Sequence, residues 1–246
     1  RRGISAGTCL YLGCGFLPNL AGGKAASPLS SRLVFQVRGL RENGHGLEAV
    51  ILSHTGRALA PEQENADGKY WSYPFRKGLE IYNQDHLLLD TEAGRQLRIF
   101  GLILVEGFFD VAKLVEAGCR NVAALMGAHI TVEQIERLIW IRSRVDLPRI
   151  VLFLDCDEAG RNGACQASDR LRRQGFEVIT FDWDRSQIPA AAKDPGRPDR
   201  AGREDPTGPR RPDPGAARLG AGSGSGSGTG KSEHSERTTA DSHGWI

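Results

Sequence analysis

The sequence predicts an α/β fold: a parallel sheet with flanking helices, preceded by a small α+β subdomain and followed by a disordered C-terminal tail. Three observations lead there. Between residues 98 and 186, four short apolar runs of strand length alternate with stretches of helical periodicity. The connections are short, so consecutive strands run parallel, with a helix crossing between them. From residue 187 to 246 the apolar content nearly vanishes: six of the twelve prolines fall between Pro195 and Pro214, and a Gly-Ser repeat follows at 220–230. Such a stretch cannot bury enough surface to offset chain entropy.

The elements follow in order. Residues 1–97 carry strand-like runs at Leu33–Val37 and Glu48–Leu52, set among glycine-rich and polar turns. Ile99–Val105 reads as a strand covered on both faces. Val111, Leu114 and Val115 recur at helical spacing, and Gly118 stops that helix. Asn121–Met126 is a second strand. Thr131-Val-Glu-Gln134 is a capping box that opens a helix reaching about Arg144. Ile150–Leu154 is a third strand, Gly160 to Gln174 a helix ended by Gly175, and Phe176–Phe181 a fourth strand.

Composition narrows the class of function. The 246 residues include 32 Lys+Arg and 30 Asp+Glu, a net charge of +2, which excludes a wholly basic nucleic-acid coat but not a local basic groove. No apolar run approaches the roughly 20 residues of a membrane helix. The five cysteines (Cys9, Cys14, Cys119, Cys156 and Cys165) lack paired spacing, which points to free thiols in a reducing, intracellular setting. The Arg-Arg start without Met leads to the expectation of a fragment of a longer chain.

Two of the strands end in acid. Ile99–Val105 runs into Glu106-Gly-Phe-Phe-Asp110, and Ile150–Leu154 runs into Asp155-Cys-Asp157. Ligands of open α/β sheets bind at the carboxyl ends of strands. Asp155 and Asp157, two apart, share a side in an extended segment. Carboxylates ~4 Å apart repel by roughly 4 kcal/mol at an effective dielectric of 20, so a site that gathers them binds a cation or holds a proton. An isolated D-x-D after a strand is as readily a solvated loop; two acidic strand ends within one βα array are more specific. Oxygen-only ligands favour Mg²⁺ or Mn²⁺. Upstream, Lys69, Arg76 and Lys77 interleave with Tyr70, Trp71, Tyr73 and Phe75, the cation-and-ring mixture of a single-strand groove.

These residues carry a resemblance. LILVEGFFDVAKLVEAG, NVAALMG and IVLFLDCDEAGRNGA are similar to the Toprim domain in the version found in DnaG-type bacterial and phage primases, over about residues 98–184. Arg32-Leu-Val-Phe-Gln-Val-Arg38 and Lys69-Tyr-Trp-Ser-Tyr-Pro-Phe-Arg-Lys77 resemble the segment before Toprim in those primases. Gln36 and Tyr73 depart from that pattern, and Lys193-Asp-Pro-Gly196 looks like a trimmed form of the family's acidic loop.

The resemblance implies a nucleotidyltransferase that makes short RNA primers on a single-stranded DNA template from ribonucleoside triphosphates. It implies Glu106 as catalytic proton acceptor or ligand, with Asp155, Asp157 and Asp194 also at the metal. Arg32, Arg38, Lys69, Lys77 and Arg161 would hold nucleic acid or nucleotide. Asp110 would orient the loop or a metal-bound water. The expected cofactor is Mg²⁺ or Mn²⁺, with no zinc in this fragment, since Cys9 and Cys14 lack the spacing of a zinc site. The expected setting is cytoplasmic, bacterial or phage or plasmid-borne, with a replicative helicase contacted through a region this chain lacks. Because Toprim domains also occur in OLD-family nucleases, a metal-dependent nuclease and a non-catalytic nucleic-acid-binding relic stay open as alternatives. Gly226–Ser232 imitates a phosphate loop, but no strand precedes it and its spacing fails.

Overall fold

The computed structural model describes residues 3–19 and 27–181. The expected tail, with Asp194 and the segment Gly226–Ser232, lies outside the described residues. Both sheets of the described chain belong to one compact unit.

The N-terminal layer is an antiparallel sheet. Helix α1 (Ala6–Tyr11) starts at Ser5, whose Oγ accepts the Thr8 N–H at 3.2 Å. Strand β1 (Cys14–Leu17) follows, then a long hairpin of β2 (Arg32–Asn43) and β3 (Gly46–Ala58). A side-chain turn closes the hairpin, in which Asn43 Oδ1 accepts the His45 N–H at 2.9 Å. Helix α2 (Pro61–Asp67) and strand β4 (Tyr70–Ser72) complete the layer, in the order β1-β2-β3-β4. The hairpin is longer than the two short runs expected from sequence, and its register shifts between Val37 and Arg38, leaving Leu52 as the extra residue.

A 3-10 turn (Lys77–Leu79) and helices α3 (Gln84–Leu89) and α4 (Thr91–Phe100) lead to the second sheet. It runs β5 (Leu102–Val105), α5 (Phe108–Glu116), β6 (Val122–Ala124), α6 (Val132–Arg142), β7 (Arg149–Leu152), α7 (Glu158–Arg173), β8 (Glu177–Thr180). The strand order is β6-β5-β7-β8 and every neighbouring pair is parallel, which is the expected α/β architecture. Two boundaries differ from expectation. Ile99 and Phe100 end α4 rather than begin a strand, because Gly101 (φ 82°) terminates the helix there. Helix α5 starts at Phe108 because Asp110 turns back to accept the Gly107 N–H at 2.9 Å. The capping box of α6 is present, with Gln134 N–H donating to Thr131 Oγ1 at 3.1 Å and Thr131 N–H to Gln134 Oε1 at 3.2 Å.

Two apolar clusters hold these layers. One contains Leu102, Leu104, Leu138, Ile150, Leu152 and Leu171. The other joins the sheets through Phe35 and Val37 of β2 and Tyr82, Val105, Phe108 and Phe109 beyond it. Phe35 stacks on Phe108 with ring centroids 5.1 Å apart and meets Phe109 edge-on at 5.4 Å. No helix among the described residues is long and apolar enough to cross a membrane.

Candidate active site

The two phenylalanines that lock the sheets together follow Glu106 after a single glycine. Their packing therefore fixes the loop leaving β5, and the sequence Glu-Gly-Phe-Phe-Asp serves as both acidic strand end and core anchor. Asp110 is buried and caps the loop through Gly107, the orienting role expected of it. From the neighbouring strand β7 the chain arrives at Asp155, whose backbone N–H donates to Glu106 Oε1 at 3.2 Å. That bond ties the ends of two adjacent parallel strands and sets both carboxylate-bearing residues at one edge of the sheet.

Glu106 and Asp155 line a cleft of about 260 Å³ together with Arg57, Lys69, Tyr70, Lys77, Gly107, Asp110, Met126 and Gly127, among others. Lys69 enters β4 and Lys77 opens the 3-10 turn, so one lysine comes from the N-terminal layer, the other from the connection after it, and the carboxylates from the parallel sheet. The Lys77 segment is clamped to that sheet. Thr131 Oγ1 donates to the Gly78 carbonyl at 2.6 Å, Gln134 Nε2 to the Glu80 carbonyl at 2.9 Å, and Tyr82 and Ala124 exchange backbone bonds at 2.9 and 3.1 Å. The capping box of α6 thus also positions a cleft lysine.

Arg57 is the cleft residue that sequence reading missed. It donates to Tyr70 Oη at 2.9 Å, and its guanidinium carbon lies 5.1 Å from the Tyr70 ring centre and 5.2 Å from that of Phe109. Those contacts hold its charge at the cleft wall. Its sequence setting, Thr55-Gly-Arg57 near the end of β3, carries no motif. The expected stacking rings behave differently from one another. Tyr70 and Phe75 pack on the inter-sheet cluster, whereas Trp71 and Tyr73 contact each other edge-on at 4.9 Å outside the cleft.

The other expected site residues make contacts of their own. Asp157 does not share an extended segment with Asp155, because β7 has ended at Leu152. It is the N-cap of α7 and accepts the Gly160 N–H at 2.9 Å. Arg32 is fully buried and donates to the carbonyls of Pro28 at 3.2 Å and Gly68 at 3.1 Å, which makes it a structural tie. Arg38 pairs with Asp85 at 3.1 Å and donates to the Tyr11 carbonyl at 3.3 Å, beneath α3. Arg161 donates to the Cys156 carbonyl and lines a second cavity, beside α7, that Asp155 also borders. Gly160 is needed for packing: a Cβ there would lie 2.1 Å from the Asp155 carbonyl oxygen.

Among the described residues no group of three or more His, Cys, Asp or Glu side chains is assembled as a metal site. The donor set nonetheless suits a hard divalent cation. Such an ion is held by one or two carboxylates, and water and phosphate oxygens complete its shell. Glu106 and Asp155, both lining the cleft, are the carboxylates that could hold it.

Comparison with known proteins fits this geometry. Residues 101–181 match the Toprim domain family. DNA primases supply its relatives: that of Pseudomonas putida is 29% identical over 156 residues, covering 61% of this chain and 20% of the relative. That of Mycoplasma pneumoniae is 28% identical over 156 residues, covering 63% and 23%. The chain thus spans about a fifth of the length of the curated relatives it matches. Among solved structures, the Aquifex aeolicus primase (zinc-binding and RNA polymerase domains) aligns with a TM-score of 0.58 at 23% identity, covering 79% of this chain and 49% of that one. The E. coli primase catalytic core aligns at 0.58 and 20% identity, covering 79% and 64%. The described segment therefore has the fold of the primase catalytic core.

Proposed function

We propose that this chain is the catalytic-core segment of a DNA primase, a nucleotidyltransferase that joins ribonucleotides into short primers on single-stranded DNA. The observation that carries the proposal is the single cleft in which two strand-end carboxylates, Glu106 and Asp155, face Arg57, Lys69 and Lys77. In the reaction a 3′-hydroxyl attacks the α-phosphate of an incoming ribonucleoside triphosphate and pyrophosphate leaves. Glu106 and Asp155 would hold Mg²⁺ or Mn²⁺, which when bound offsets triphosphate charge and lowers the pKa of the attacking hydroxyl. Glu106, steadied by the Asp155 N–H, would accept the hydroxyl proton. Lys69, Lys77 and Arg57 hold phosphate oxygens of template or nucleotide, and Arg57's aromatic braces keep it from collapsing onto the carboxylates. Asp157 contributes by fixing the start of α7, and through it the loop that carries Asp155.

The test supplies ribonucleotides, divalent metal and a single-stranded template in one arm, and labelled DNA alone in the other. Primer synthesis that disappears in Glu106→Gln supports the proposal. Cleavage of the labelled DNA without synthesis assigns the cleft to a nuclease instead.

A further inference from the structure

The thiols of Cys9 and Cys14 are unused by the cleft, and the fold brings them together. Cys9 lies on α1 and Cys14 opens β1. Between them the chain reverses: Leu12 N–H donates to the Thr8 carbonyl at 3.0 Å and Gly13 N–H to the Leu10 carbonyl at 3.1 Å. Gly13 takes φ 62° to complete the reversal, and the Gln36 N–H then donates to its carbonyl at 3.2 Å. Cys14 pairs with Phe35 of β2, so both ends of the turn are anchored. The two sulfur-bearing residues line the same two cavities, of about 590 and 440 Å³, which places their side chains side by side and within reach of small molecules. Neither Cys119, Cys156 nor Cys165 borders either cavity.

We propose that Cys9 and Cys14 form a dithiol–disulfide couple, a reversible modification site that low-molecular-weight disulfides oxidise. Burial and the hydrogen bond with Cys9 push the Cys14 thiol up to about 12, so Cys14 keeps its proton and acts second. Cys9 as thiolate attacks one sulfur of the external disulfide, forms a mixed disulfide and expels one thiolate, which takes up a proton. Cys14 gives its proton to solvent base and attacks Cys9 Sγ, breaking the mixed bond and expelling the second thiolate. Two protein thiols are oxidised and one external disulfide is reduced to two thiols. The larger of the two cavities is also lined by Arg57 and Phe109, residues of the catalytic cleft wall, so the couple sits directly behind that wall.

The experiment treats the folded chain with oxidised glutathione, blocks remaining thiols with iodoacetamide and examines the tryptic peptide 3–24, which contains both cysteines. The expected product lacks both alkyl groups and is lighter than the dithiol peptide by two hydrogen atoms. Closure should be about tenfold faster in the folded chain than in urea, since the fold aligns the sulfurs. Cys14→Ser should leave Cys9 trapped as the glutathione mixed disulfide. A folded chain that keeps two alkylated cysteines in this peptide, or closes no faster than the unfolded chain, overturns the proposal.

Discussion

Gln134 is the side chain whose removal tests how the two layers are joined. It is 1% exposed, donates to the Glu80 and Leu125 carbonyls at 2.9 and 2.8 Å, and accepts the Thr131 N–H at 3.2 Å. Gln134→Leu keeps the volume but leaves three backbone groups without these partners. At about 1 kcal/mol for each lost bond the sum is about 3 kcal/mol. For a chain of this size that lowers Tm by roughly 6–12 °C. Thermal unfolding followed by circular dichroism measures it, with the exposed Glu136→Gln on the same helix as the unchanged control. Because Gln134 and Thr131 hold the segment carrying Lys77, the variant should also bind single-stranded DNA more weakly at temperatures where it is folded. A Tm within 1 °C of the parent would refute the reasoning that this side chain staples the layers.

Three further outcomes are expected. Gly160→Ala must move α7 or the Asp155 loop, because the new methyl meets backbone rather than a flexible side chain; it should cost roughly 1–3 kcal/mol in chemical denaturation and weaken Mn²⁺ binding. Lys69→Ala and Lys77→Ala should each reduce the salt slope of single-stranded DNA binding by about 0.7 per phosphate contact, read by titration at several ionic strengths. Burial holds the His86 imidazole below its ordinary value of 6.5, against the Asp85 carboxylate 3.5 Å away. Below that pH the unfolded chain takes up a proton that folded His86 refuses, so stability falls as pH drops from about 6.5 toward 5. Denaturation midpoints across this range should show the slope in the parent and a smaller one in His86→Gln.

Much of the parallel sheet was legible because buried strands and amphipathic helices leave different periods in the chain. The Thr131–Gln134 cap and the glycine stop at Gly175 marked helix ends directly. The errors have physical causes. Ile99 and Phe100 looked like the start of a strand because they are apolar, yet they lie on a helix end, 51% and 58% exposed. The outer hairpin carries Arg41, Glu42 and Glu48, which mask strand alternation, so its length was underread.

In the site, Glu106 and Asp155 could be found because acids at the ends of buried strands are conspicuous. Asp157 has a second role that the strand-end reading did not show, because Asp-Glu-Ala-Gly is equally a helix start and the Asp157 carboxylate caps α7. The contacts of Arg32 and Arg38 left no trace in the sequence, because an arginine's sequence context does not say whether a carboxylate or carbonyl across the fold pairs with it. Arg57 left no signal for the opposite reason: its partners Tyr70 and Phe109 come from distant segments that only the fold brings together.

The central claim is that Glu106 and Asp155 act together on one divalent cation at the mouth of the cleft. Mn²⁺ titration followed by electron paramagnetic resonance, on the parent chain and on Glu106→Gln and Asp155→Asn, tests it most directly. One Mn²⁺ bound by the parent and lost or strongly weakened in both variants, with unfolding curves unchanged, is the predicted result. Mn²⁺ binding that is the same in all three proteins would contradict it.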